Sequence, residues 1–174
     1  MNVVQELAAR TLLVILAAAV VQDFMYMKIS NRLILMGILF SLAFGLTTGG
    51  PKQVIYVLAN LSFPVIVLYL LYLLGVLGAG DIKLFSIIGG FTNFRLLISC
   101  MFFSFVAAAA IAVCKMLYNR NFCGSLLRAG TYFRCLRQEG IVSYHKEWAE
   151  HRNLMHFSVA ILIGYIAAVA VQVL

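Results

Sequence analysis

The sequence predicts an all-α, polytopic membrane protein with six transmembrane helices and both termini on the extracytoplasmic side. Three observations predict it. Of the 174 residues, 64% are hydrophobic and only 11% charged, with a mean hydropathy of +1.02. That balance lies outside the range of soluble globular domains, which would have too little polar area to cover themselves. Apolar runs approaching the roughly 20 residues that a helix needs to cross a bilayer recur along the chain. The basic residues fall between these runs rather than along one stripe, which suits topology and contact with anionic lipid headgroups and gives no reason to expect nucleic acid.

The first span is read at residues 7–26. Its apolar run from Leu12 to Val21 follows Glu6 and Arg10, and no small-residue cleavage site leads on to a polar mature domain, so a retained span is expected rather than a signal peptide. The second span covers residues 33–46 and stops at the turn signal Thr47-Thr48-Gly49-Gly50-Pro51. The third covers 54–77, where Asn60 and Pro64 suggest a kink with a polar lining. The Gly-rich interruption Gly78-Ala79-Gly80-Asp81 separates it from a short fourth span at 82–91. A fifth follows at 96–117, then a polar stretch at 119–153, and a sixth closes the chain at 154–174. The small residues Gly75, Ala79, Gly89, Gly90 and Ala107 to Ala110 are expected to let helices pack closely. With no internal repeat, residues 1–174 read as a single membrane-embedded domain.

Charge orients the spans. Ten basic residues (Lys28, Arg32, Lys83, Lys115, Arg120, Arg128, Arg134, Arg137, Lys146 and Arg152) fall at ends that share one face, against Arg10, Lys52 and Arg95 at the other. By the positive-inside rule the first face is cytoplasmic. The basic loop at 119–153 then lies on that face, as an interfacial helix or as a plain connection. Its Glu139, Glu147 and Glu150 sit among basic residues, as in a solvated mixed-charge loop.

No metal or cofactor is called for. Cys100, Cys114, Cys123 and Cys135 contain no C-x-x-C pair, and His145, His151 and His156 are too loosely spaced for a metal site. His156 reads as a packing residue at the membrane edge.

Of the six carboxylates, Glu6, Asp23, Asp81, Glu139, Glu147 and Glu150, only two are aspartates, and both sit at the edge of an apolar span. Ionisable groups there are costly and therefore functional candidates. Asp81 has a structural alternative, because it precedes a helix and could cap its N–H groups. Asp23 lies near the C-terminal end of its span, where the helix dipole disfavours an anion; an ion pair with Lys28 or Arg32 is its alternative. The deduced topology puts both on the cytoplasmic face. Two carboxylates at one depth can share a proton, one taking a proton from water while the other donates to a carbonyl being attacked. Gly78 and Gly80 are expected to adopt conformations closed to other residues, and to let an extended peptide approach Asp81. Lys83 either snorkels to the interface or tunes the ionisation of the pair.

Gly78-Ala79-Gly80-Asp81-Ile82-Lys83 resembles the G-x-G-D-x-K signature of type IV prepilin peptidases, relatives of archaeal preflagellin peptidases. Asp23, followed by Lys28-Ile29-Ser30-Asn31-Arg32-Leu33, is similar to that family's first aspartate and its downstream I-[P/S]-N-x-L element. The resemblance implies an aspartic endopeptidase with Asp23 and Asp81 as catalytic residues. It implies as partner a prepilin or pseudopilin whose short basic leader is cut just after a glycine, at the cytoplasmic face of the bacterial inner membrane. The chain lacks the cytoplasmic insertion with two C-x-x-C pairs found in larger members, so N-methylation is not implied, and its short form looks like the peptidases of tight-adherence (Flp-type) pili. The last span has Met155-His156-Phe157 where relatives often have a proline-aromatic element. Presenilin-like proteases also carry G-x-G-D, but pair it with a Y-D motif, whereas Asp23 follows Gln22. A small transporter or channel using both aspartates as a proton or cation site is the alternative from another class.

Overall fold

A computed structural model describes residues 3–26, 29–74, 76–118 and 157–173. The expectations attached to Lys28, Gly75, Cys123, Cys135, the three histidines and the stretch 119–153 lie outside the described residues. The chain divides into two compact units, residues 1–107 with 156–174, and residues 108–155. Among the described residues there are five helices and no strand: α1 (Val3–Tyr26), α2 (Asn31–Leu73), α3 (Ala79–Phe91), α4 (Phe94–Tyr118) and α5 (Phe157–Val173). The all-α class holds. Glu6–Tyr26, Asn31–Leu73 and Phe94–Lys115 are each long and apolar enough to cross a membrane.

α1 contains neither glycine nor proline, so nothing interrupts it before Tyr26. α2 is 43 residues long and takes in both the second and the third expected spans. Its backbone leaves the helical region only at Gly50 (φ 66°, ψ −157°), a conformation open to glycine and strained for other residues. Pro51 then opens the second arm, at a position where a missing N–H is harmless. The arms, residues 31–49 and 51–73, fold back on each other. A Cβ on Gly45 would lie 2.9 Å from Val57 Cγ2, and Gly90 of α3 faces both Ser41 and Leu61. In one straight helix Ser41 and Leu61 would stand about 30 Å apart. α2 is therefore a helical hairpin.

The turn signal at 47–51 is placed correctly but acts late. Thr47 and Thr48 remain helical, their hydroxyls donating to the Phe44 carbonyl at 2.9 and 2.8 Å, a local bond that keeps threonine compatible with the helix. Pro64 is buried within the second arm without any departure from helical dihedrals, so the kink expected near Asn60 and Pro64 is not found, and the backbone of α2 breaks at Gly50, inside the expected turn.

α3 begins earlier than expected. α2 ends at Leu73, and Gly80 and Asp81 already belong to the first turn of α3. Thirteen residues give a rod of about 20 Å, shorter than the ~30 Å hydrocarbon core. Ile82 and every residue from Leu84 to Gly90 are buried, as befits a helix that is apolar all round. It packs against both arms of α2. A Cβ on Gly37 would meet Ile87 Cδ1 at 2.9 Å, and one on Gly89 would come within 2.5 Å of the Asn60 carbonyl oxygen. The close packing expected of Gly89 and Gly90 is thus present, while Ala79 is exposed and only Ala108 of the Ala107–Ala110 run is buried.

In the first unit Leu12, Leu16, Phe85, Ile87, Ile88, Leu97 and Ile161 form the core. Outward residues stay apolar: Ile66 is 74% exposed and Val14 66%. In water such a surface would drive aggregation, whereas in lipid it is the solvated face.

Candidate active site

Four chain segments converge at one end of the first unit. α1 ends there at Tyr26, and the link through Ile29 and Ser30 leads directly into α2. The Ser30 amide donates to Gln22 Oε1 at 3.0 Å, closing the turn back onto α1, and Ser30 Oγ accepts from the Arg32 amide as N-cap of α2. The start of α3 joins this corner twice. Lys83 Nζ donates to Asn31 Oδ1 at 2.9 Å. Gly80 packs on Ile29 so closely that a Cβ would stand 3.2 Å from Ile29 Cδ1. The start of α5 joins through Ser158, whose hydroxyl donates to Asp23 Oδ2 at 2.6 Å.

Asp23 and Asp81, 58 positions apart in the chain, therefore lie at the same end of the unit, and both are half-buried. Asp81 stands at the third position of α3, where its Oδ2 accepts from the Gly78 amide at 3.2 Å. This is the carboxylate half of a capping box; Gly78 has no side chain to supply the other half. The capping role weighed for Asp81 is thus present in the structure.

The reason given for the two motif glycines changes. Gly78 is extended at φ −79°, ψ 150°, which any residue adopts, and Gly80 is helical; Gly50 is the glycine with positive φ among the described residues. Gly80 is small because Ile29 lies against it, not because its backbone is unusual. Lys83 is exposed, and its ammonium bonds to Asn31 across the two motifs.

Ser158 is the residue that sequence reasoning passed over. It is 1% exposed, in the first turn of α5, beside Phe157, whose ring packs on Phe85 and Phe105 at centroid distances of 6.3 and 5.9 Å. The available signal was its place at the start of the last apolar run, on the face assigned to both aspartates.

The opposite end of the unit holds a cavity of about 850 Å³. It is lined by Gln53, Tyr56, Asn60 and Gln172 together with apolar residues such as Phe44 and Leu12. Its wall includes Ala9, Gln53, Phe94 and Leu96, the chain neighbours of Arg10, Lys52 and Arg95. Neither aspartate lines it.

Apolar helices long enough to span a bilayer and exposing aliphatic side chains define a helical membrane protein, with two aspartates at one end of its first unit. The family model described as the type IV leader peptidase family matches residues 11–113, more than half of the chain and inclusive of Asp23 and Asp81. The chain belongs to that family of peptidases. No curated protein sequence and no solved structure matches it.

Proposed function

We propose that the protein is an aspartic endopeptidase that removes the short basic leader of type IV prepilins, of the Flp type, at the cytoplasmic face of the bacterial inner membrane. The observation that carries the reading is the convergence of Asp23 and Asp81 on one end of the unit, through contacts that tie both motifs to each other and to α5. Six spans with both termini outside complete the proposal, each arm of α2 and the short α3 counting as one. The short α3 would draw its half-buried aspartate below the headgroups, and Lys83 would steady the pair by holding the second motif on the first.

The mechanism follows from paired carboxylates. One, unprotonated, takes a proton from a water molecule as the water oxygen bonds to the scissile carbonyl carbon. The other, protonated, donates to the carbonyl oxygen as it gains charge. The resulting gem-diol collapses when its C–N bond breaks: the leaving amine receives the proton held by the first carboxylate, and one diol hydroxyl returns its proton to the second carboxylate as it becomes the carbonyl of the new carboxyl group. No metal or cofactor is required. The substrate's apolar helix stays in lipid while its leader emerges among the aspartates, and a glycine before the cut favours the extended backbone that attack demands.

Reconstitution with an Flp-type prepilin tests this. Wild type is expected to cleave, and Asp23→Asn and Asp81→Asn each to lose cleavage by about a thousandfold or more while still inserting into the membrane. Normal cleavage by either variant removes that residue from the mechanism. Aspartate-dependent ion flux in proteoliposomes, without cleavage, would establish a transporter instead.

A further inference from the structure

We propose that the cavity at the end opposite the aspartates binds one phospholipid, with its phosphodiester beside Lys52 and Arg95 and an ester carbonyl on the Tyr165 hydroxyl. The site is separate from the peptidase reaction, and the inference does not depend on that reading.

The wall of the cavity carries both halves of such a ligand's chemistry. Leu12, Val57, Phe91 and Val169 make part of it apolar, while Gln53 and Gln172 bring amides to another part. Its volume of about 850 Å³ falls within the ~300–1,000 Å³ usual for bound small molecules. Gln172 and Tyr165 both line it and stand seven residues apart on α5, so it runs inward for about 10 Å. A bilayer has roughly 5–8 Å of headgroup region on each side of its hydrocarbon. A site of that depth at the helix ends begins among headgroups and finishes among acyl chains, as a phospholipid does.

Two further observations point to the ligand. Tyr165 is 4% exposed, yet its hydroxyl makes no hydrogen bond with the described residues. No enclosed side-chain nitrogen or oxygen among them lacks a partner, so this hydroxyl reaches accessible space, and the space that Tyr165 lines is the cavity. A buried O–H is costly until it meets an acceptor, and an ester carbonyl is one. Charge supplies the second observation. Arg10, Lys52 and Arg95, the three basic residues that the charge pattern sets apart from the other ten, are all chain neighbours of lining residues. Glu6 pairs with Arg10, whereas Lys52 and Arg95 are exposed and form no ion pair with the described residues. Two cations without a counter-charge at the rim suit a phosphodiester. Water is a poor occupant for the apolar wall, and an apolar helix would leave both cations unanswered.

The test is native mass spectrometry of the full-length protein purified in mild detergent, then stripped of lipid and titrated with phosphatidylglycerol. Wild type is expected to retain one phospholipid per chain and to rebind one phosphatidylglycerol. Tyr165→Phe is expected to weaken rebinding about fivefold, and Lys52→Gln combined with Arg95→Gln about tenfold. Ala9→Trp, at a half-buried lining position, is expected to fill the cavity and abolish binding. Lysophosphatidylglycerol is expected to bind and glycerol phosphate not to, since the acyl chain is part of what the wall holds. A wild type that rebinds no phosphatidylglycerol overturns the proposal, as does a monodisperse Ala9→Trp that still binds it. Wild-type affinity in Tyr165→Phe and in the double variant does the same, and keeps the test decisive if Ala9→Trp fails to fold. Glycerol phosphate binding as tightly as the lipid would make this a site for free phosphate, and displacement of the lipid by a synthetic prepilin helix would make it part of the substrate's path; either result overturns the proposal. None of these readouts uses cleavage, so each leaves the peptidase reading where it stands.

Discussion

The two ends of the first unit are built differently. At the aspartate end, side chains bridge segments far apart in the chain, Ser158 to Asp23 across 135 positions and Lys83 to Asn31 across 52, while the Ser30 amide closes the local turn onto Gln22. At the other end the Asn60 amide reaches the Thr92 carbonyl at 3.2 Å, while Asn93 caps α4 locally and Glu6 pairs with Arg10 one turn along α1 at 2.5 Å. There the helices enclose a cavity of about 850 Å³ with uncharged polar groups in its wall. Long-range polar bonds are strong where water is scarce and specify a single arrangement. Their longer reach at the aspartate end, 135 and 52 positions against 32 for Asn60 to Thr92, marks where the fold holds geometry most firmly, and the cavity end is less constrained.

The comparison is broken most forcefully at the aspartates. Beyond the thousandfold loss expected of each asparagine variant, the double variant is expected to be no worse than either single one, because the pair acts as a unit. Additive losses in cleavage rate would show that the two carboxylates work independently.

Next in size is the packing that brings the motifs together. A Cβ at Gly89 would press on the Asn60 carbonyl oxygen at 2.5 Å, a backbone atom that cannot rotate away. Gly89→Ala should therefore separate α3 from the second arm of α2 and destabilise the protein by about 1–3 kcal/mol. A lowered Tm in detergent checks this. Gly80→Ala meets only the flexible end of Ile29 at 3.2 Å, and a smaller drop is expected. Equal drops would refute the assignment of backbone contact as the limiting one.

These contrasts also show which parts of the structure were legible in the sequence. Apolar runs are long-range averages, so the helices emerged within a few residues of their observed ends. The two motifs were legible because Asp23 and Asp81 are rare charges at the edges of lipid-soluble runs. Finer features were not. Glycine in an apolar run reads equally as hinge or as packing surface; Gly50 proved to be the hinge, and Gly37, Gly89 and Gly90 the packing surface. Pro64 resembled a kink because its missing N–H is local information, whereas the burial that accommodates it depends on neighbours. The signal at Ser158 was its place at the start of the last apolar run, and that is too common to single it out. A serine beside an apolar run is ordinary, and its meaning depends on a partner 135 positions away.

The Lys83–Asn31 bond sharpens the comparison at smaller magnitude. It joins the two motifs, but Lys83 is exposed, and exposed charge-assisted contacts contribute on the order of 1 kcal/mol or less. Lys83→Met and Asn31→Ala are each expected to reduce kcat/KM by about threefold to tenfold, and the double variant to match the larger single effect. Losses that multiply would mean that Lys83 acts on the aspartates through space and not through Asn31. Raising the salt concentration separates the routes further, since a through-space influence of an exposed ammonium is screened while a direct hydrogen bond is affected less.

The smallest expected effect lies at the cavity, and its smallness is informative. Gln53 and Gln172 line the far end, one at the hairpin tip of α2 and the other near the end of α5. Both are exposed, so replacing either with alanine removes no buried hydrogen bond and leaves no backbone group unpaired. Gln53→Ala and Gln172→Ala are expected to leave kcat/KM for prepilin cleavage within about twofold and Tm nearly unchanged, surface substitutions typically costing no more than ~0.5 kcal/mol. A large loss in kcat/KM at constant Tm would mean that the substrate's helix or its extracytoplasmic portion reaches the cavity. The two ends would then be parts of one substrate path, and the division between a rigid reactive end and a less constrained opposite end would fail.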